Sequence, residues 1–221
     1  MDITASVANL RERVNDVTLA ARRAPGSVSI LGVTKTQSRE AVVAAIDAGL
    51  TDVGENYFQE ARNKYAGLPA VRKHFIGHVQ TNKAKAIAAL FDVVQSVDRL
   101  ESGLALAKAA QATGKALRAL VQINISPAER FGVAPADAPA LARRLREAGL
   151  VIDGVMAIGP LDASLDDAFG LAAATFGEVG GATLSLGMSG DWERAIAHGS
   201  TMIRIGSAIF GPRPARKGAF A

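Results

Sequence analysis

The chain contains no cysteine in 221 residues. That absence excludes a disulfide framework, a thiolate nucleophile and any metal centre with cysteine ligands. Aromatic side chains are scarce as well, at 5% of the sequence against 49% hydrophobic residues overall. Alanine, valine, leucine and isoleucine must therefore fill the core. No apolar run is long enough to cross a bilayer, and Met1-Asp-Ile-Thr-Ala-Ser6 lacks the basic-then-apolar order of a secretion signal. A cytoplasmic protein without a membrane partner is expected. The histidines, His74, His78 and His198, show no ligand spacing to a carboxylate, so no metal site is expected either. No basic run alternates with aromatics. The net charge of +4 is scattered along the chain and suits a small phosphorylated ligand at least as well as nucleic acid.

What the chain does have is a regular alternation of short apolar runs and helical segments. Val7, Leu10, Val14, Val17 and Ala21 give an amphipathic opening helix over Ile3–Arg23. Strand-like runs follow at Val28–Thr34, Asp52–Gly54, His74–Gly77, Asp92–Val97, Leu117–Ile125, Val151–Ile158, Thr183–Leu186 and Met202–Ile205. Helical segments separate them. This pattern predicts an α/β fold, a (β/α)8 TIM barrel with an additional N-terminal helix. Little chain remains after the last strand for a closing helix, so the opening helix is expected to cover that face. An open doubly wound sheet is the alternative.

Lys35 ends the first strand, and Thr36-Gln-Ser38 then supplies helix-start chemistry. The carboxyl ends of parallel strands are where such folds gather their ligands. An amine partly withdrawn from water there is a candidate for imine formation. The alternative is a lysine with a buried stem and a wet head. Other residues on the same expected rim include Glu55, Asn56 and Tyr57, then His78 and Gln80, Asn124, Met156, Met188 and Ser189.

The stretch Gly199-Ser-Thr-Met-Ile-Arg-Ile-Gly-Ser-Ala-Ile-Phe-Gly211 carries the second signal. Gly206-Ser207 follows the eighth strand, where many barrels bind phosphate and where backbone N–H groups can approach an anion. Most such pairs are simple turns, but Gly187-Met-Ser189 after the neighbouring strand offers further donors. Arg204 alternates with Ile203 and Ile205 and so points toward the barrel interior. It calls for a partner there, an internal Asp or Glu being one candidate.

Lys35, Gly54-Glu-Asn-Tyr57, His74-Phe-Ile-Gly77 with Gln80-Thr-Asn-Lys83, and Leu184-Ser-Leu-Gly-Met-Ser189 through Arg204-Ile-Gly-Ser-Ala-Ile-Phe-Gly211 occur together in that order. The set resembles the pyridoxal phosphate homeostasis protein family, small relatives of the alanine racemase barrel. The resemblance covers roughly Val28 to Pro212. It implies one alanine-racemase-like barrel domain over residues 1–221, of PLP fold type III, with pyridoxal 5'-phosphate held as an imine on Lys35. It further implies that Ser189, Gly206 and Ser207 hold the phosphate with help from Ser200. Arg204 would face the pyridine nitrogen, while Asn56 and Met188 would line the site. The sequence departs from the family pattern in a shortened loop at Ser126–Gly132, in Ala157-Ile-Gly-Pro160, and in Gly190 before Asp191.

An arginine can donate to a ring nitrogen but not protonate it, which limits carbanion chemistry. Racemisation also needs a second acid/base on the cofactor's opposite face. The tyrosines, Tyr57 and Tyr65, lie on or beside one early helix, and Tyr65 is expected to point outward. No catalytic residue is therefore assigned, and the expectation is a monomeric binder that stores or hands over the cofactor, with PLP-dependent apo-enzymes as recipients. The rivals are a PLP-dependent enzyme such as an amino-acid racemase, a Schiff-base aldolase, or a nucleic-acid-binding module.

Overall fold

The computed structural model describes residues 2–127 and 130–212. Ala128 and Glu129, in the loop expected to be shortened, lie outside them. Eight parallel strands follow one another around a closed barrel: β1 Ser29–Val33, β2 Asp52–Glu55, β3 Arg72–Phe75, β4 Val93–Val97, β5 Arg118–Ile123, β6 Val151–Ala157, β7 Thr183–Ser185 and β8 Met202–Ile205. β8 pairs with β1, Arg204 lying opposite Leu31, so the doubly wound alternative falls away. The helices are α1 Ile3–Ala20, α2 Arg39–Asp47, α3 Phe58–Lys64, α4 Ala84–Leu90, α5 Leu100–Thr113, α6 Ala138–Glu147, α7 Leu165–Val179, α8 Trp192–Ala197 and α9 Ser207–Phe210.

Local chemistry sets the boundaries. The Asp2 carboxylate caps α1 by accepting from Ala5 N at 3.1 Å, and α1 buries Val7, Leu10, Val14 and Thr18. It stops at Ala20, three residues before the expected end, because Arg22 adopts a left-handed backbone with φ 57°. α1 packs against α2, α8 and α9. It thus covers the flank of the barrel between α2 and α8, beside the short α9. β3 begins at Arg72, two residues earlier than the apolar pattern indicates. Backbone pairing and ion pairing carry the charged residues into the sheet: Arg72 Nε lies 2.8 Å from Asp52 Oδ1.

The main core lies between the strands and the helical ring. Phe91, fully buried, packs at 5.1 Å from Phe75 and 6.0 Å from Tyr65, centroid to centroid. Burial of one such ring stabilises the fold by about 1.5–3 kcal/mol. The barrel lumen is different. Leu31, Leu120, Met156 and Met202 are buried apart from the outer core, and among them run Asp52, His74, Gln95, Ser185 and Arg204, all buried.

Candidate functional site

A pocket of about 320 Å³ opens at the carboxyl ends of β1, β7 and β8. Lys35, Met188, Ser189, Arg204, Gly206 and Ser207 line it. Six of the eight residues singled out in the sequence therefore meet in one place. Three loops bring them there.

The first loop carries Lys35. Its predecessor Thr34 is fully buried and is held by Lys64 Nζ, which donates to Thr34 O at 2.6 Å. Thr36, its successor, has a left-handed backbone with φ 66°, and its N–H donates to Glu60 Oε2 at 2.9 Å. The chain is thus pinned on both sides of the lysine.

The second loop follows β7. Gly187 has φ 95°, and a Cβ there would stand 2.7 Å from Ala195 Cβ, so only glycine lets the loop turn against α8. Asp191 Oδ1 accepts from Met188 N at 2.5 Å and fixes the Met188–Ser189 segment. The third loop is Gly206-Ser207, where α9 begins. Ser207 Oγ donates to Ser189 Oγ at 3.2 Å, bringing two hydroxyls from adjacent loops side by side. A Cβ on Gly206 would meet its nearest heavy atom, Val33 O, at 3.6 Å. Packing within the chain therefore does not demand glycine there. The missing side chain leaves room on the pocket side, where hydroxyls and amides could hold a phosphate.

Arg204 forms the inner wall and is 5% exposed. The internal carboxylate partner considered from the sequence is not what holds it. Nη1 donates to Ser185 O and Ser185 Oγ, each at 2.8 Å, and Nη2 to Ala157 O at 2.7 Å. All these acceptors are neutral. Burial pulls the guanidinium pKa down to about 10, with the charge of Asp191 acting in the opposite direction, so it stays cationic at neutral pH. These three bonds use Nη1 and Nη2 of a group with five N–H donors, so the pocket wall is positive and keeps donor capacity suited to an anion or a ring nitrogen.

Asn56 and Ser200 lie elsewhere. Asn56 lines a neighbouring pocket of about 410 Å³ with Tyr57, His78, Gln80 and Lys83. It is nonetheless level with Lys35, since Val33 pairs with Gly54 and each lies two residues further on. Asn56 Oδ1 is buried with no partner among the described residues. Ser200 does not line the pocket. It is fully buried just before β8 and donates to the carbonyl of Leu186 at 2.8 Å, which joins the β7 and β8 segments.

Tyr65 corrects a second expectation. It points inward, 1% exposed, with its OH 2.7 Å from Thr34 Oγ1. Burial pushes its phenol pKa far up, so the group stays neutral, and it supports the Lys35 loop from behind. The sequence reading missed this support. Lys64 carries no signal in the sequence that sets it apart from the other polar residues of its short helix. Among the described residues no cluster of His, Asp and Glu could hold a metal ion, and no helix is long and apolar enough to cross a membrane.

An eight-stranded parallel barrel with a lysine just beyond its first strand, facing a hydroxyl- and arginine-lined pocket, defines an alanine-racemase-type barrel. Residues 6–214 match the family "Alanine racemase, N-terminal domain". A solved alanine racemase from Bartonella henselae with covalently bound pyridoxal phosphate superposes with TM-score 0.73 at 18% identity, over 98% of this chain and 61% of that one, which bears on the fold alone. Nearer relatives narrow the class. The pyridoxal phosphate homeostasis proteins of Pseudomonas aeruginosa and Escherichia coli are 41% and 37% identical, over 96% of this chain and 96% and 97% of theirs. PipY of Synechococcus elongatus, solved with PLP bound, is 31% identical with TM-score 0.81, over 95% of this chain and all of that one. The chain belongs to the pyridoxal phosphate homeostasis protein family.

Proposed function

We propose that this protein holds pyridoxal 5'-phosphate as a reversible Schiff base on Lys35 and serves cofactor homeostasis without efficient catalysis of its own. The observation that carries this reading is the meeting of Lys35, Ser189, Ser207 and Arg204 around one pocket. Lys35 supplies the amine. Ser189 and Ser207, with the amides at Gly206-Ser207, grip the phosphate end. Arg204 donates to the ring nitrogen and Met188 borders the ring, while Asn56 stands level with Lys35 in the adjoining pocket. When bound, the cofactor supplies an aldehyde and an electron-withdrawing ring. A fixed cation that can only donate weakens the ring as an electron sink.

Support for a binder rather than a racemase comes from both tyrosines. Tyr65 is buried against Thr34, and Tyr57 is half exposed beside the neighbouring pocket. Neither lines the Lys35 pocket, and two-sided proton exchange needs a second acid/base there. The barrel works as one domain, monomeric and cytoplasmic, and its stored cofactor passes to PLP-dependent apo-enzymes.

The test is absorbance of the purified protein mixed with the cofactor, followed by borohydride reduction and mass measurement after digestion. An imine band and a reduced adduct on Lys35 are expected, both lost in Lys35→Ala. An unchanged spectrum in that variant would remove Lys35 as the anchor. Proton exchange at the amino-acid Cα in deuterated water should not exceed that of free cofactor.

A further inference from the structure

A line of polar side chains crosses the barrel lumen from the pocket to the opposite wall. Arg204 Nη1 reaches Ser185 Oγ on β7 at 2.8 Å. Ser185 Oγ reaches Gln95 Oε1 on β4 at 2.7 Å, and Gln95 Nε2 reaches His74 Nδ1 on β3 at 2.9 Å. His74 Nε2 then meets Asp52 Oδ1 on β2 at 2.8 Å. In a closed barrel β4 and β7 are not neighbours, so the Gln95–Ser185 bond spans the interior. Gln95 also points an N–H at Met202 Sδ on β8, 3.2 Å away, directly across the ring of strands.

The two ends fix the direction of every bond. A guanidinium only donates, so the Ser185 hydroxyl, having accepted from Arg204, passes its own proton on to Gln95 Oε1. That turns the Gln95 amide N–H toward His74 Nδ1, which must accept. His74 then carries its proton on Nε2 and donates to Asp52, a carboxylate that only accepts. For a neutral imidazole at His74, reversing the links would set its bare Nε2 against the Asp52 carboxylate, two acceptors face to face in a dry interior, where an unmade bond is costly. At the far end Arg72, half exposed, pairs with Asp52. The charged groups near Arg204 are Lys35 ahead of α2 and Asp191 ahead of α8.

We propose that this one-way chain is a positioning device for Arg204, and that Gln95, Ser185 and His74 hold the guanidinium as a fixed donor toward the pocket. The inference rests on the reading that Arg204 faces the cofactor's ring nitrogen. Gln95 touches no ligand, yet it dictates which way Ser185 presents its hydroxyl and therefore how Arg204 is held. The consequence is a ring nitrogen kept as an acceptor and unprotonated, because a cation fixed beside it disfavours a second positive charge. A storage protein gains from that, since an unprotonated ring is a weaker electron sink and carbanion chemistry on bound amino acids is held down.

The test uses the full-length protein loaded with pyridoxal phosphate carrying heavy nitrogen in the ring, read by nitrogen NMR at neutral pH. Wild type should show the shift of an unprotonated, hydrogen-bonded pyridine. Gln95→Leu and Ser185→Ala should move it toward the protonated range and release cofactor roughly three- to tenfold faster, the effect of one weakened hydrogen bond from a charged donor. Ser185→Thr, which keeps the hydroxyl, should restore both values. Should Gln95→Leu not fold, Ser185→Ala decides, because the bond from Arg204 to the Ser185 carbonyl survives in it. A wild-type shift in the folded, loaded variants overturns the chain. Arg204→Gln separates the two ideas: if it moves the shift while the others do not, only the chain fails. If it too leaves the shift unchanged, Arg204 does not face the ring nitrogen and both fall.

Discussion

Lys64 Nζ lies 2.6 Å from the carbonyl oxygen of Thr34, the residue immediately before Lys35. The same ammonium sits 2.8 Å from Glu55 Oε2 and 3.3 Å from Glu60 Oε2. Glu55 in turn accepts from the backbone N–H of Asn56 at 2.8 Å. One buried cation therefore joins the rim loops after β1 and β2. The two lysines differ in place: Lys64 fixes the loop from behind, and Lys35 lines the pocket.

Removing the buried cation should be expensive. Lys64→Met leaves Glu55, fully buried, without its partner. A loss of about 3–5 kcal/mol in urea unfolding is expected, the usual result of breaking such a pair on one side. The double variant Lys64→Met/Glu55→Gln should recover much of it, because no orphan charge remains. Equal destabilisation of the single and double variants would show that packing of the lysine stem, not the charge pair, is what matters.

Thr36 holds the strained backbone next to the site. A β-branched residue at φ 66° costs roughly 1–2 kcal/mol. Asparagine accepts that conformation more readily. Thr36→Asn should therefore raise stability by roughly 1 kcal/mol while keeping the N–H bond to Glu60. A melting temperature at or below wild type would mean that the threonine side chain contributes contacts that outweigh the strain.

The barrel was legible in the sequence because short apolar runs alternate regularly with helical segments, as in Val93–Val97 followed by the alanine-rich Leu100–Thr113. Lys35 and the Gly206-Ser207 turn could be found because rim residues directly follow strands. What stayed hidden depends on where non-neighbouring strands meet. Arg72 and Lys73 fall outside the apolar run that starts at His74, yet they form the first half of β3. Gln95 is one polar residue within the run Asp92–Val97, and only closure of the barrel brings it to Ser185. Ser200 shares the glycine- and serine-rich stretch of the phosphate loop, but it precedes the strand that Ser207 follows.

Gly77 controls how the rim loops after β2 and β3 approach each other. A Cβ there would stand 1.9 Å from the carbonyl oxygen of Asn56, which is main chain and cannot swing aside. Gly77→Ala should destabilise the protein by about 1–3 kcal/mol. It should also push Asn56 off its position level with Lys35 and weaken cofactor retention. Wild-type stability and retention together would show that the loop after β2 yields without cost.

Acid sensitivity should trace to Asp52 at the far end of the lumen. Burial alone would push its carboxyl pKa up; hydrogen bonds from His74 and Thr51, with the charge of Arg72, outweigh burial and hold it below the ordinary value. A depressed carboxyl favours the folded state wherever the unfolded group is ionised. Its contribution is therefore complete above pH about 4 and disappears as pH falls through the lower folded-state value. Asp52→Asn should cost about 1.5–3 kcal/mol at pH 7, the worth of hydrogen bonds to a charged acceptor. Below pH about 4 the variant's stability should converge on that of wild type, whose curve falls more steeply there. Parallel curves down to pH about 2 would mean that Asp52 enters the folded state without a depressed pKa, and that another carboxylate sets the acid limit.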